Sequence, residues 1–285
     1  MNRYEKLFAT QDLSLNRFDH PPHQAHDDPD EEVSTRWAIA FVQAGSFDVV
    51  HGGRSVRLGR GGVFLSRPGF VFRCRHQDTC PSDVCLSAAF ADSVAEEFAE
   101  AWLRTSWAVR PSPTPRLAFA GRRLREAADS GDAFQVERWM LAALAALEHD
   151  AQQARPRGRY AARGAALDAV IEVCRNVEAD PAARRSIADR AAAVGLNSAG
   201  LTRAFRRYAG VAPHAYVVRQ RLVMAAELLD AGTSVSETCF RSGFDNLSYF
   251  CRAFRRALGM GASAWRGAPR ANKRERLRAL SVSPL

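Results

Sequence analysis

The chain has 285 residues, 47% of them hydrophobic, and carries a formal net charge of +9 at pH 7 with a pI near 9.8. That length suits two domains with sizeable cores, and the basic balance favours polyanionic partners through attraction to phosphate and release of condensed counterions. No run of about eighteen apolar residues exists, and the opening Met1-Asn2-Arg3-Tyr4-Glu5 lacks the apolar stretch of a signal peptide, so membrane and secretory classes are set aside and a soluble cytoplasmic protein is expected.

Residues 1–91 read as a β domain. His20, His23 and His26 stand three apart in a polar, proline-containing stretch that runs into an acidic segment ending at Glu32. Short apolar runs then follow at 37–43, 46–50, 55–58, 63–66, 71–73 and 85–90, separated by Gly45, Gly52-Gly53, Gly61-Gly62 and Pro68-Gly69. Such even spacing of strands and turns predicts a small antiparallel barrel or sandwich, whose interior offers a concave apolar pocket for a small effector.

Histidine and cysteine are ligands for zinc and related ions, so His20, His23, His26, Cys74, His76 and Cys85 are candidate effector or sensor residues if the fold gathers them around a transition-metal ion. The alternative is a polar loop packed across the barrel mouth. No His-x-His pair is present, which argues against a cupin-type metalloenzyme. Cys74, Cys80 and Cys85 also permit a thiol sensor, which requires an accessible, activated thiolate, with incidental packing cysteines as the competing reading.

Residues 92–153 turn helical. An amphipathic stretch at 93–103 and a second at 117–127 precede a third at 132–153, in which Phe134, Trp139, Met140, Leu141, Leu144 and Leu147 form a broad apolar stripe. That stripe is expected to bury itself either in a dimer or against the barrel. Residues 154–164, with Arg155-Pro156-Arg157-Gly158-Arg159, read as an interdomain linker.

From Ser186 onward one pattern occurs twice. Ser186-Ile187-Ala188-Asp189 through Gly195 matches Ser234-Val235-Ser236-Glu237 through Gly243 at an offset of 48, and Asn197, Ala204, Phe205, Arg206, Arg207 and Gly210 recur 49 residues later as Asn246, Ala253, Phe254, Arg255, Arg256 and Gly259. Each matched residue has a physical job. Ser186 and Ser234 are N-caps with Asp189 and Glu237 at the capping-box position. Small Ala191 and Cys239 let two helices approach, and Gly195 and Gly243 make the turns. Asn197 and Asn246 cap the second helices, whose Leu201 and Phe205, or Phe250 and Phe254, lie four apart on a buried face.

The second helix of each pair suits the major groove, where its first turn reaches base edges while arginines bind phosphate. On the first, Ser198, Ala199, Thr202 and Arg203 are assigned near bases and Arg206 and Arg207 near the backbone; on the second, Leu247, Ser248, Tyr249, Cys251 and Arg252 near bases and Arg255 and Arg256 near the backbone. Between the units, 213–231 predicts one connecting helix with Tyr216, Leu222, Ala225, Leu228 and Leu229 as its stripe, roughly 28 Å long against the ~34 Å that separates successive groove faces. The segment 268–285 reads as a polar, partly disordered tail.

The residues Leu201-x-Arg203-x-Phe205-Arg206, Gly210-x-x-Pro213, Tyr216, Arg221-Leu222, Ala225, Leu228-Leu229, Ser234-Val235, Gly243-Phe244, Ser248-Tyr249-Phe250, Arg252-x-Phe254-Arg255 and Gly259 resemble the AraC/XylS family of bacterial transcription regulators. The stretch from Gly45 to Gly69 is similar to the cupin-like sensor half of such regulators. The resemblance implies an α+β chain: a cupin-like β-barrel sensor domain, a helical connector where dimers form, and a seven-helix DNA-binding domain over 165–267 with a linker helix between two helix-turn-helix motifs. It further implies double-stranded promoter DNA, a small-molecule effector, RNA polymerase and a second copy of the chain as partners, with no catalysis. The sequence departs from the family pattern at Gly261-Ala262-Ser263-Ala264-Trp265-Arg266, where Ser-Pro-x-x-Tyr-Arg is usual, which bears on how the last short helix is capped.

Overall fold

Three strands precede those expected from the sequence. Arg3–Ala9 (β1) and Leu13–His20 (β2) open a computed structural model that describes residues 3–20, 30–76, 83–98, 109–110, 113–152 and 164–282. Glu32–Val33 (β3), Trp37–Ala44 (β4), Ser46–His51 (β5), Arg54–Gly59 (β6), Val63–Ser66 (β7), Val71–His76 (β8), Asp83–Phe90 (β9) and Val109–Arg110 (β10) follow. They lie in two antiparallel sheets, ordered β1-β2-β9-β4-β7-β10 and β3-β8-β5-β6, rather than in one closed barrel.

Val42 and Phe64 from the larger sheet meet Phe47, Val49 and Leu58 from the smaller in a shared core. The chain crosses from one sheet to the other at Gly45, whose φ of 67° lies in the left-handed region. A Cβ there would sit 2.6 Å from the Asp83 Cα, so only glycine lets this corner close on the start of β9.

Asp92–Ala95 (α1) continues into a single 3-10 turn, Glu96–Phe98; the rest of the helix expected over 93–103 lies outside the described residues. Pro115–Ser130 (α2) and Ala133–Gln152 (α3) pair as a helical hairpin. Thr114 caps α2 and also donates to Asp150 Oδ2 at 2.5 Å, tying the start of one helix to the end of the other. Most of the apolar stripe of α3 is buried within the chain: Trp139 meets the Phe119 ring edge-on at 5.5 Å, and Met140, Leu144 and Leu147 are fully buried, while Phe134 and Leu141 are half-buried. Gly121 of α2 presses on the Phe41 ring of β4, which places the hairpin against the larger sheet.

The chain divides into two compact units, 1–162 and 163–285. The second unit holds Gly164–Ala179 (α4), Ile187–Ala192 (α5), Ser198–Tyr208 (α6), Pro213–Asp230 (α7), Val235–Arg241 (α8), Leu247–Leu258 (α9), Ala262–Gly267 (α10) and Arg270–Val282 (α11). At its centre is α7. Tyr216 packs on Phe205 of α6, while Leu222, Ala225, Ala226 and Leu229 join Cys239, Phe250, Phe254 and Trp265 in the core of the second half.

The short helix α10 forms without a side-chain cap at Gly261, and Trp265 drives it inward, fully buried and edge-on to Phe254 at 5.6 Å. The segment expected to be a disordered tail is the helix α11. Its Leu277 and Leu280 reach the core, Lys273 bonds Asp230 at 2.6 Å, and Arg276 donates to the Leu258 carbonyl at 2.8 Å. Charge-rich composition hid two apolar anchors one helical turn apart.

Candidate nucleic-acid interface

Capping chemistry sets where each probe helix begins. Ser186 Oγ accepts from the Asp189 amide at 3.1 Å while the Asp189 carboxylate accepts from the Ser186 amide at 3.0 Å, a complete capping box at the start of α5. The Ser186 hydroxyl, which donates to the Asp189 carboxylate at 2.7 Å, and the Ser186 amide together hold that carboxyl below the usual carboxylate range. The box therefore favours the fold above the unfolded pKa and is lost as pH falls through the lowered folded one.

In the second unit only half of the expected box forms. Ser234 accepts from the Glu237 amide at 3.2 Å, but the Glu237 carboxylate turns to Arg241 at 3.3 Å, one helical turn ahead. Asn197 then caps α6, accepting from Gly200 at 2.7 Å, and Asn246 caps α9, accepting from Tyr249 at 2.8 Å. Asn197→Ala and Asn246→Ala are each expected to cost about 0.5–2 kcal/mol, read as a lowered midpoint in chemical denaturation of the whole chain. An unchanged midpoint in both would mean the caps are dispensable.

Ala191 and Cys239 are fully buried where each first helix crosses its second. The loop before α5 is strapped to α7 by Arg221, which donates to the carbonyls of Pro181 at 2.9 Å and Ala183 at 3.2 Å; Arg190 donates to the same Ala183 oxygen. Arg221 stood in the sequence only as part of a motif, because a strap to loop carbonyls has no signature in residue spacing.

On α6, Leu201, Ala204, Phe205 and Tyr208 face inward and Ser198, Ala199, Arg203, Arg206 and Arg207 face solvent. Thr202 is half-buried, its hydroxyl donating to the Ser198 carbonyl at 2.8 Å, so it offers lone pairs and a methyl rather than a proton. On α9, Phe250, Phe254 and Leu258 face inward; Ser248, Arg252, Arg255 and Arg256 are exposed, as are Leu247 at 40% and Tyr249 at 42%. Cys251, expected near bases, is half-buried and packs against the core instead. Both helices thus present a small or apolar first turn followed by arginines on an outward flank.

In the first unit, His20 and His76 stack at 3.9 Å, and His76 Nδ1 lies 2.6 Å from Asp83 Oδ2. Cys74 and Cys85 stand two residues from His76 and Asp83, on the same faces of β8 and β9. Burial foremost, with nearby carboxylates, pushes the Cys74 thiol up strongly and the Cys85 thiol to about 12. That is the reverse of what the thiol-sensor expectation requires. His23, His26 and Cys80 lie outside the described residues. Asp83 was missed, although Cys74-x-His76 facing Asp83-x-Cys85 is a mirrored spacing that would have flagged it.

Two capped helix-turn-helix units sharing one helix define a double helix-turn-helix DNA-binding domain. Residues 190–268 match the family described as a helix-turn-helix domain. The regulatory protein PocR of Salmonella typhimurium strain LT2 is 35% identical over 79 residues, covering 27% of this chain, and the HTH-type transcriptional regulator YidL of Escherichia coli K12 is 38% identical over 82 residues, covering 28%. The chain spans only 26% and 28% of the lengths of those two curated relatives. A solved structure from Rhodopseudomonas palustris CGA009, described as a probable AraC family transcriptional regulator, is 33% identical, covering 35% of this chain and 95% of that one with a TM-score of 0.34. Over residues 190–268 the chain thus carries a helix-turn-helix domain of the AraC/XylS type. No helix among the described residues is long and apolar enough to cross a membrane.

Proposed function

We propose that the protein is a sequence-specific transcription regulator in which α6 and α9 enter successive major-groove segments of promoter DNA. The observation that carries this is the outward face of both helices, small or apolar at the first turn and arginine-rich beyond it, held by matched asparagine caps. Ser198, Ala199 and Arg203, with Leu247, Ser248, Tyr249 and Arg252, approach base edges; Arg206, Arg207, Arg255 and Arg256 bind phosphates. The 18 residues of α7, which runs between the two units, span roughly 27 Å at 1.5 Å per residue, a length on the scale of one duplex repeat.

In this reading a small effector is taken up by the β unit, the active species is a homodimer that engages RNA polymerase, and the effector acts through unequal affinity for two states of the regulator. Arg203→Ala and Arg252→Ala are each expected to weaken binding to the cognate promoter by ~1–3 kcal/mol, as for an arginine bidentate to guanine. Arg206→Ala and Arg255→Ala are expected to weaken binding evenly across sequences and to flatten the salt dependence. Unaltered promoter affinity in both Arg203→Ala and Arg252→Ala, measured by gel shift at fixed salt, would overturn the base-reading assignment.

A further inference from the structure

We propose that His20, His76 and Asp83 form a three-ligand site for a divalent transition-metal ion at the junction of the two sheets. One ligand atom from each residue lies within 4.8 Å of the other two. Ligand atoms around a tetrahedral zinc stand about 3.4 Å apart at the usual bond lengths, so side-chain shifts on the order of 1 Å close the set.

The three residues come from three strand ends. His20 terminates β2 and pairs in register with Asp83, the first residue of β9 in the same sheet, while His76 terminates β8 of the other sheet, paired with Phe47. Backbone register fixes the first two side by side. The third crosses from the facing sheet, stacked on His20 with its ring 13° from parallel. Gly45 adds a second constraint, since its missing side chain brings the corner between β4 and β5 onto the Asp83 backbone.

All three sit largely out of water: His20 is 8% exposed, Asp83 7% and the His76 side chain 16%. Two imidazoles and one carboxylate are the donor set of catalytic-type zinc sites and of non-heme iron sites, which keep a position open for a further ligand. A hard ion such as calcium or magnesium, which needs mostly oxygen donors, does not fit. Binding would exchange the His76–Asp83 contact for two bonds to the ion: His76 Nδ1 and Asp83 Oδ2, 2.6 Å apart, already stand together, and both would turn onto it. Occupancy would fasten one sheet to the other.

The test is titration of the full chain, stripped with a chelator, with cobalt(II) as the spectroscopic probe and zinc as competitor. One equivalent of cobalt is expected to bind with visible d–d absorption, zinc is expected to displace it, and zinc is expected to raise the thermal midpoint. His20→Ala and His76→Ala should each lower affinity by roughly 100-fold or more, the upper end of what loss of a mere outer-shell partner costs. Asp83→Asn and His20→Gln, close in shape to the originals, guard against unfolding: each should keep the far-ultraviolet circular dichroism of the parent and lose the zinc-dependent rise in midpoint. Three results overturn the proposal: no stoichiometric cobalt binding, binding that survives in the His20→Ala/His76→Ala double variant, or an intense sulfur-to-cobalt band that assigns the ion to cysteine. None of these would touch the DNA-binding assignment, which rests on the other unit.

Discussion

Gly243→Ala is expected to destabilise the second helix-turn-helix by about 2–6 kcal/mol, the combined cost of a left-handed backbone on a non-glycine residue and of overpacking. Gly243 has a φ of 86°, and a Cβ added there would lie 2.8 Å from the Ala182 Cα and 2.9 Å from Arg221 Nε. The arginine end can move aside; the Ala182 backbone cannot, since Arg221 itself ties its neighbours Pro181 and Ala183 to α7. The matched residue Gly195, with a φ of 70° and open space around its α-carbon, supplies the control. Gly195→Ala should show only the backbone part, about 1–3 kcal/mol. Equal losses in the two variants, measured by urea denaturation, would mean that the contact with Ala182 contributes nothing.

Phe254→Ala should cost about 3–5 kcal/mol, as deletion of a fully buried aromatic ring does. Phe254 has no exposed surface and meets Phe250 at 5.7 Å and Trp265 at 5.6 Å, so the cavity would open where α9 and α10 meet beneath α7. Promoter affinity should fall with stability, because Arg252, Arg255 and Arg256 are aimed only by the seating of α9. Phe240→Ala is the counterpart: that ring is 55% exposed on α8, and its loss should change stability by no more than about 0.5 kcal/mol. A stable Phe254→Ala protein with full promoter affinity would contradict the account of how α9 is held.

How much of this could be read from the residues alone differs between the two units. The second was nearly transparent, because a repeat compares the chain with itself: Ser186 with Ser234, Asn197 with Asn246 and Phe205 with Phe254 each validate the other. Where the copies diverge the pattern fails. Glu237 has Arg241 within reach and leaves its box half made, whereas Asp189, a methylene shorter, stays on Ser186.

The first unit was only partly visible. Six strands follow from apolar runs, but β2 buries Ser14 and Asn16 beside Leu13 and Leu15, and polar residues inside a sheet paired on both edges erase the alternation that marks a strand. Whether the strands close into a barrel or part into two sheets depends on which edges pair, and no single strand encodes that. The gathering of His20, His76 and Asp83 likewise needs the register of β2 on β9, and 63 residues separate the first from the last in the chain. Tyr249 and Leu247 were placed correctly on the outward face by helical periodicity, and Cys251 was not, since a position flanking the buried stripe is divided between core and solvent.

One helix, α7, lends opposite flanks to both halves of the second unit: Tyr216 to Phe205 on one side, Leu222 and Leu229 to the Phe250–Phe254–Trp265 cluster on the other. Neither half is therefore a detachable module. A fragment stopping at Asp230 would strand a greasy, water-facing strip with nothing to cover it, and one starting at Pro213 would leave Leu201 and Phe205 without their lid. Melting should accordingly register as a single cooperative event across residues 164–282, with no folded remnant of either groove-binding part outliving the other.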